Sequence, residues 1–215
     1  MTLPLAHNSS PSRFRPETVD IFARVLCVTF YSYFVFRAFN VFLDAFSLTV
    51  TLLLIAESLA VLLIITARFP KSVKRSPYTA TITIAASFYF IVISLSDGIR
   101  LAPVVLTAII QMSGILLQIL AKLYLGRSFA LMPANRGVVT TGPYRLVRHP
   151  IYLGYFISHV GFLLSMWSLY NLGVYTLLYT LQFLRIREEE KLLSEDEEYR
   201  QYTKKVRYRF IPVII

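Results

Sequence analysis

Long apolar runs, separated by short polar connections, occupy most of the first two thirds of this chain. A helix needs about 20 residues to cross the hydrocarbon core of a bilayer, and four runs are close to that length. They cover residues 21–43, 47–67, 79–96 and 101–125. The pattern predicts four membrane-spanning helices in this part of the chain.

A fifth apolar region extends from Ile151 to Ile186 and contains no charged residue before Arg185. As one helix it would be roughly 50 Å long, because each residue adds about 1.5 Å, whereas one crossing needs about 30 Å. Small and polar residues at 165–173 interrupt the region near its middle. We therefore expect a helical hairpin whose two ends lie at the same side of the membrane.

The segment 185–212 differs from the rest, since charged residues replace most of the apolar ones. Leu192, Tyr199, Tyr202 and Val206 recur at helical spacing and form one apolar stripe. This segment therefore predicts an amphipathic helix. Together these elements predict an all-α polytopic membrane protein with about six transmembrane segments, the last two forming a helical hairpin, followed by a cytoplasmic C-terminal helix.

Composition and charge agree with this class of protein. Hydrophobic residues make up 56% of the chain and charged residues 16%, against roughly 25% charged in soluble domains. The net charge is +10, and before residue 185 there are fourteen Lys and Arg against five acids. These bases flank the apolar runs, which favours contact with anionic membrane lipids and the positive-inside rule over nucleic-acid binding. Their distribution predicts cytoplasmic N- and C-termini and a cytoplasmic connector at 126–150.

The chain has one cysteine, Cys27, so we expect no disulfide framework within it. The sequence contains no cluster of Cys and His residues, so we expect no metal site.

A polar segment, GPYRLVRHPIYLG at 142–154, joins the fourth apolar run to the hairpin. Its Gly-Pro pair marks a turn, and Pro150 suits the first position of a helix. The unpaired N–H groups at the start of that helix could hold an anionic group, and Arg148 and His149 immediately precede it. The alternative is a positively charged membrane boundary followed by an ordinary proline-initiated helix.

An acidic cluster, Glu188, Glu189 and Glu190, follows Arg185 where the hairpin returns to the cytoplasm. Because the ends of a hairpin share one membrane face, we expect this cluster to lie beside the segment 142–154. A cationic segment that faces carboxylates can hold a zwitterionic ligand. The alternative is that the glutamates only begin a solvated stretch of helix.

Four motifs, in this order and spacing, resemble the isoprenylcysteine carboxyl methyltransferase family, especially its bacterial branch. They are LGRSF (125–129), GPYRLVRHPIYLG (142–154), RIREEEKLL (185–193) and YRQYTKKVRYRFIP (199–212). The resemblance covers roughly residues 115–212. It implies a methyltransferase core at 101–215, and the apolar runs before it predict an N-terminal region at 1–100 with three transmembrane helices. It also implies a multi-pass protein of the bacterial inner membrane that uses S-adenosyl-L-methionine without a soluble Rossmann domain.

The resemblance further implies roles for individual residues. Arg185 and Glu189 are the implied catalytic residues, and Arg185 matches the family arginine that orients an acceptor carboxylate. The implied cofactor pocket consists of Tyr144, Leu146, Arg148, His149, Pro150, Tyr152, Glu189 and Glu190. Gln118, a polar residue in the fourth apolar run, is a further candidate for this pocket; alternatively, it bonds a neighbouring helix.

These groups suit a carboxylate acceptor. A free α-carboxyl has a pKa of about 3.5 and is ionised near neutral pH, so the protein has only to align the reactants and remove water from the carboxylate. We expect S-adenosylmethionine-dependent methylation of a lipophilic acceptor, a carboxylate as in isoprenylcysteine, that enters from the bilayer. The alternatives are a phospholipid amine or small hydrophobic metabolite as acceptor, an NADPH-dependent reductase of the sterol reductase type, and a non-catalytic membrane module. The sequence indicates no oligomeric state.

Three further positions carry expectations. Glu57 lies inside the second apolar run, where a charge costs on the order of 2.5–3.5 kcal/mol. We therefore expect it to be protonated or paired with another helix, rather than to bind an acceptor head group. His159, in an apolar arm of the hairpin, is expected to be packed and neutral. The segment LLSEDEEY (192–199) is shorter than in many family members and lacks a Phe-Gly pair, so the helix that covers the pocket is expected to begin differently.

Overall fold

The computed structural model describes residues 16–44, 48–70, 72–73, 76–87, 89, 92–94, 98–129 and 134–211. The described residues are mostly helical and contain seven α-helices and one two-stranded antiparallel sheet. The helices are α1 Pro16–Asp44, α2 Leu48–Thr66, α3 Pro77–Ser87, α4 Val104–Leu125, α5 Pro150–Ser165, α6 Leu169–Leu193 and α7 Glu197–Lys205. The strands are β1 Ser72–Val73 and β2 Ala134–Asn135.

The predicted helical architecture is confirmed, whereas the number of membrane segments is not. Three predicted runs correspond to α1, α2 and α4 within a few residues, and the predicted hairpin corresponds to α5 and α6. Among the described residues, one helical stretch, Val104–Ser128, is long and apolar enough to cross a bilayer. Leu54–Thr66 and Pro150–Ser165 are apolar but shorter. The finding supports a membrane protein without confirming six spans.

The third apolar run, 79–96, was expected to be one helix, but α3 covers only Pro77–Ser87, and the described residues 92–94 are not helical. Residues 88, 90–91 and 95–96 of this run lie outside the described residues. The buried amide of Asn171 in α6 accepts a hydrogen bond from the Ser94 N–H and donates one to the Ser94 carbonyl, both at 3.0 Å. These bonds satisfy backbone groups that a continued helix would satisfy by itself, so the chain can leave the helix without leaving polar groups unpaired.

The predicted amphipathic C-terminal helix is divided in two. Its first residues belong to α6, which ends at Leu193, and α7 begins at Glu197 after a turn. The Asp196 carboxylate accepts a hydrogen bond from the Glu198 N–H at 3.0 Å and so caps α7. Leu192, Tyr199, Tyr202 and Val206, the residues of the predicted stripe, are nevertheless all buried.

Helices α4 and α5 pack closely because glycines line their contact. A Cβ atom placed on Gly154 would lie 2.7 Å from both the Gln118 Cγ atom and the Gly114 carbonyl oxygen. At Gly161 it would lie 2.8 Å from the Gln111 Cγ atom. Small residues allow such close approach of helices in membranes. Helix α5 approaches α6 much less closely, and the space between them forms part of a cavity.

A buried ion pair joins α2 to α4. The Lys122 ammonium is fully buried, donates to the Ala56 carbonyl at 3.0 Å and lies 3.4 Å from the Glu57 carboxylate. It also lies 5.7 Å from the centre of the Tyr155 ring. Glu57 is therefore paired with a residue of another helix, one of the two arrangements expected for a charge inside an apolar run.

Candidate functional site

The polar segment between α4 and α5 forms a tight turn. Residues Gly142–Arg145 make one turn of 3₁₀ helix, and Gly142 has a φ of +58°, in the left-handed region that favours glycine. Pro150 is the first residue of α5, as predicted. The Arg148 and His149 N–H groups donate to the carbonyls of Tyr208 and Arg209 at 2.9 and 2.8 Å. The C-terminal segment 206–211 is thereby fixed against the start of α5.

The Glu190 carboxylate lies at the centre of this end of the molecule. Its Oε1 atom is 3.0 Å from an Arg148 guanidinium nitrogen and 3.3 Å from His149 Nε2. Its Oε2 atom accepts a hydrogen bond from Arg209 Nε at 2.7 Å, and the Tyr199 hydroxyl lies 3.5 Å from Oε1. The cationic segment and the acidic cluster therefore meet, as the hairpin geometry predicted.

Electrostatics keeps the Glu190 carboxylate ionised. Burial raises its pKa, but the hydrogen bond from His149 and the charges of Arg148 and Arg209 outweigh burial, so the pKa lies below its ordinary value of 4.5. Burial, and then the nearby Glu190 charge, raises the pKa of the Tyr199 hydroxyl. The tyrosine therefore stays protonated and can donate to the carboxylate.

One cavity of about 390 Å³ extends from this charged end into the helical bundle between α4, α5 and α6. Its charged end includes Arg148, His149 and Glu189, and its deep end includes Tyr89 and Tyr175. Seven residues predicted for the site contribute to its wall: Gln118, Tyr144, Arg148, His149, Tyr152, Arg185 and Glu189.

Three predicted cofactor residues do not line the cavity. Leu146 is 71% exposed and lies on the outer surface of the turn. Pro150 is fully buried at the start of α5. The Glu190 side chain does not reach the cavity, but its carboxylate contacts Arg148 and His149, which line it, and so fixes their positions.

The two predicted catalytic residues, Arg185 and Glu189, both contact Tyr152. The Tyr152 hydroxyl donates to the Glu189 carboxylate at 3.2 Å. The buried guanidinium of Arg185 lies over the Tyr152 ring, 5.4 Å from its centre, a distance typical of cation–π contacts. An arginine, a carboxylate and an aromatic ring thus line the charged end of the cavity together.

The deep end of the cavity contains His159 in a hydrogen-bonded group with two tyrosines. Its Nε2 atom is 2.6 Å from the Tyr89 hydroxyl and its Nδ1 atom 2.7 Å from the Tyr179 hydroxyl. A neutral imidazole satisfies this arrangement, because one ring nitrogen donates and the other accepts. His159 is buried among aromatic rings, as expected for a packed histidine.

The sequence interpretation missed several residues of this region. Tyr202 donates to the Tyr144 carbonyl at 2.6 Å, and Arg209 bonds Glu190. The helical spacing indicated that Tyr202 would be buried but not what it would contact. Gln182 lines the cavity from α6, and its long polar side chain in a mainly apolar arm, three residues before Arg185, was a signal that could have identified it.

Comparison with protein families bears on the same part of the chain. Residues 98–200 match the model of the phospholipid methyltransferase family. No curated protein matches the chain closely enough to be counted as a relative. The matched segment contains Gln118, the turn before α5, the hairpin and the acidic cluster. It is therefore similar to the phospholipid methyltransferase family, and the match supports a membrane methyltransferase.

Proposed function

We propose that this chain transfers a methyl group from S-adenosyl-L-methionine to a lipophilic acceptor that reaches the cavity from the bilayer. The observation that carries the proposal is one continuous cavity with charged groups at one end and mainly aromatic and apolar groups at the other. A zwitterionic, partly polar cofactor suits the first end and a lipid tail the second. The charged end would face the cytoplasm of a multi-pass protein in a bacterial inner membrane.

The residues at the charged end fit such a cofactor. The cavity volume of about 390 Å³ is within the range of roughly 300–1,000 Å³ of small-molecule sites. The buried Nε atom of Arg148 has no hydrogen-bond partner among the described residues and is available for a carboxylate. Tyr144, His149, Tyr152 and Glu189 would hold the rest of the molecule, with the Glu189 charge favouring a cationic group.

When bound, S-adenosyl-L-methionine supplies a methyl group on a positively charged sulfur. The protein's own task is to orient the acceptor and exclude water. Arg185 is fixed over the Tyr152 ring and can pair with an acceptor carboxylate in bidentate fashion. A carboxylate needs no general base, because it is already ionised near neutral pH.

A second candidate acceptor is a phospholipid amine, and the family match favours it. An ammonium group must lose a proton before it can attack. His149 lies in the cavity wall, where it is hydrogen-bonded to Glu190, and it is the base that this acceptor would use. A small hydrophobic metabolite would use the same groups.

Calorimetry on the detergent-purified protein tests the cofactor. We expect S-adenosylhomocysteine to bind and NADPH not to bind, and the reverse result would replace the methyltransferase proposal by a reductase. Arg148→Gln should weaken S-adenosylhomocysteine binding, whereas Arg200→Gln, at an exposed arginine of α7, should not.

A labelled-methyl transfer assay over prenylcysteine analogues and lipid extracts then identifies the acceptor. Arg185→Ala should lower turnover with a carboxylate acceptor, and unchanged turnover would remove the role of Arg185.

A further inference from the structure

Two glutamines from different helices line the cavity, and each has one buried, unsatisfied oxygen. Gln118 of α4 is 2% exposed and Gln182 of α6 is 7% exposed, and both line the cavity. The side-chain oxygen of each is buried and has no hydrogen-bond partner among the described residues. An unsatisfied buried carbonyl is unfavourable, so these two oxygens indicate a ligand that donates hydrogen bonds.

The orientation of the Gln118 amide follows from its neighbours. Its nitrogen lies 3.4 Å from the Ser158 hydroxyl oxygen. That hydroxyl donates its only hydrogen to the Tyr155 carbonyl at 3.0 Å, so towards Gln118 it can only accept. The amide nitrogen is therefore placed towards Ser158, and the amide oxygen has no partner among the described residues.

The two glutamines lie just inside the charged end. Gln182 precedes Arg185 by about one turn of α6. Gln118 packs against Gly154, two residues along α5 from Tyr152, whose hydroxyl binds Glu189. The Gln118 amide reaches Ser158, the residue before His159. Gln182 therefore lies between the groups proposed to hold the cofactor and the groups suited to a lipid tail, and Gln118 lies beside the latter.

We infer that Gln118 and Gln182 determine acceptor specificity by accepting hydrogen bonds from the head group of the lipophilic acceptor, which therefore carries N–H or O–H groups. The inference rests on the proposed function, and of its two candidate acceptors it favours the amine over the carboxylate. A primary amine has enough N–H groups to donate to both oxygens, and an alcohol can donate to one of them. A carboxylate or a quaternary ammonium group has no donor and leaves them unsatisfied on binding.

A set of amphiphiles with one tail length separates donor recognition from charge. The probes are dodecylamine, dodecanol, dodecyltrimethylammonium and dodecanoate, added to the protein in phosphatidylcholine nanodiscs, whose lipid has no N–H donor. Calorimetry gives the Kd of each with and without S-adenosylhomocysteine. We expect dodecylamine and dodecanol to bind more tightly than the other two. Binding of the trimethylammonium probe equal to that of the amine, or tighter binding of dodecanoate, would overturn the inference.

Two substitutions test the residues themselves. Gln182→Leu should weaken dodecylamine binding about tenfold, as expected for the loss of one hydrogen bond to a charged group, and leave the trimethylammonium probe unchanged. Gln182→Glu keeps the acceptor and should retain amine binding, so it serves if the leucine variant does not fold. Gln201→Leu removes an exposed glutamine of α7 outside the cavity and is the matched control. An unchanged amine Kd in folded Gln182→Leu would refute the role of this residue.

Binding of S-adenosylhomocysteine to the same samples reports separately on the proposed function. If the wild-type protein binds S-adenosylhomocysteine but shows no preference for donor-bearing probes, the specificity inference fails and the methyltransferase proposal stands. If the preference for donors is present and S-adenosylhomocysteine does not bind, donor recognition stands and the methyltransferase proposal fails.

Discussion

Replacement of Glu190 by glutamine tests the group that holds the charged end together. The carboxylate contacts Arg148 at 3.0 Å, His149 at 3.3 Å and Arg209 at 2.7 Å. Glutamine keeps the shape and one accepting oxygen but removes the negative charge. Two positively charged arginine groups would then remain close together without the carboxylate that they share.

The structure sets the expected size of the effect. Removing one partner from a buried ion pair costs about 3–5 kcal/mol, and the Arg148 and Glu190 side chains are only 12% and 9% exposed. Arg209 is 41% exposed, so its pair adds less than about 1 kcal/mol. Because glutamine can still accept a hydrogen bond, we expect a loss of about 3 kcal/mol in the free energy of unfolding. For a chain of this size each kcal/mol shifts Tm by about 2–4 °C, which gives a decrease of roughly 6–12 °C.

Thermal unfolding in detergent, followed by intrinsic fluorescence at pH 7, measures this change. The matched control is Glu197→Gln, which removes a carboxylate from an exposed pair with Arg200 in α7. Surface pairs contribute little, so the control should unfold at the wild-type temperature. A Tm for Glu190→Gln within 1 °C of the control would refute the view that this carboxylate organises the site.

Three further predictions follow from described contacts. Folding lowers the Glu190 pKa from its ordinary value of 4.5, so the ionised carboxylate stabilises the protein fully above about pH 4.5, and this stabilisation is lost as the pH falls through the folded pKa. The Tm difference between wild type and Glu190→Gln should therefore shrink on acidification below pH 5. A constant difference would contradict the assignment. Gly154→Leu should lower Tm by more than 5 °C, because a Cβ there would meet α4 at 2.7 Å, whereas Gly173→Ala, with open space around it, should not lower Tm. Lys122→Met should destabilise the protein by about 3–5 kcal/mol because it leaves Glu57 buried and unpaired. Adding Glu57→Gln should recover part of the loss in a double-mutant cycle. If the losses of the two single variants simply added in the double variant, the pair would not interact.

The sequence predicted those features of the fold that depend on neighbouring residues or on the length of a helix. The Gly-Pro pair and Pro150 predicted a turn and a helix start, and both occur at those residues. The excess length of the region 151–186 predicted a hairpin, and the hairpin alone placed Glu190 near His149. No detailed packing knowledge was needed, because the chain has to return to the face from which it started.

The sequence was less informative where distant residues determine the outcome. The apolar run 79–96 predicted one helix, but α3 ends at Ser87, and Asn171, which lies far along the chain, supplies hydrogen bonds to Ser94 that local sequence cannot indicate. Leu146 matched a motif position and yet faces outwards, since the one-turn 3₁₀ helix before it determines which side chains point inwards. Arg209 gave no signal of its own, because its contact with Glu190 depends on the path of the chain after α7.

The glycine contact between α4 and α5 has a consequence for changing the acceptor range of this protein. Bulkier residues at Gly114 or Gly154 would separate the two helices, so this wall of the cavity tolerates little variation. Helix α6 approaches α5 less closely, and Tyr175 and Gln182 contribute cavity wall from it. Mutational libraries directed at α6 should therefore yield variants with new preferences, while the same diversity placed in α5 should yield mostly unfolded protein.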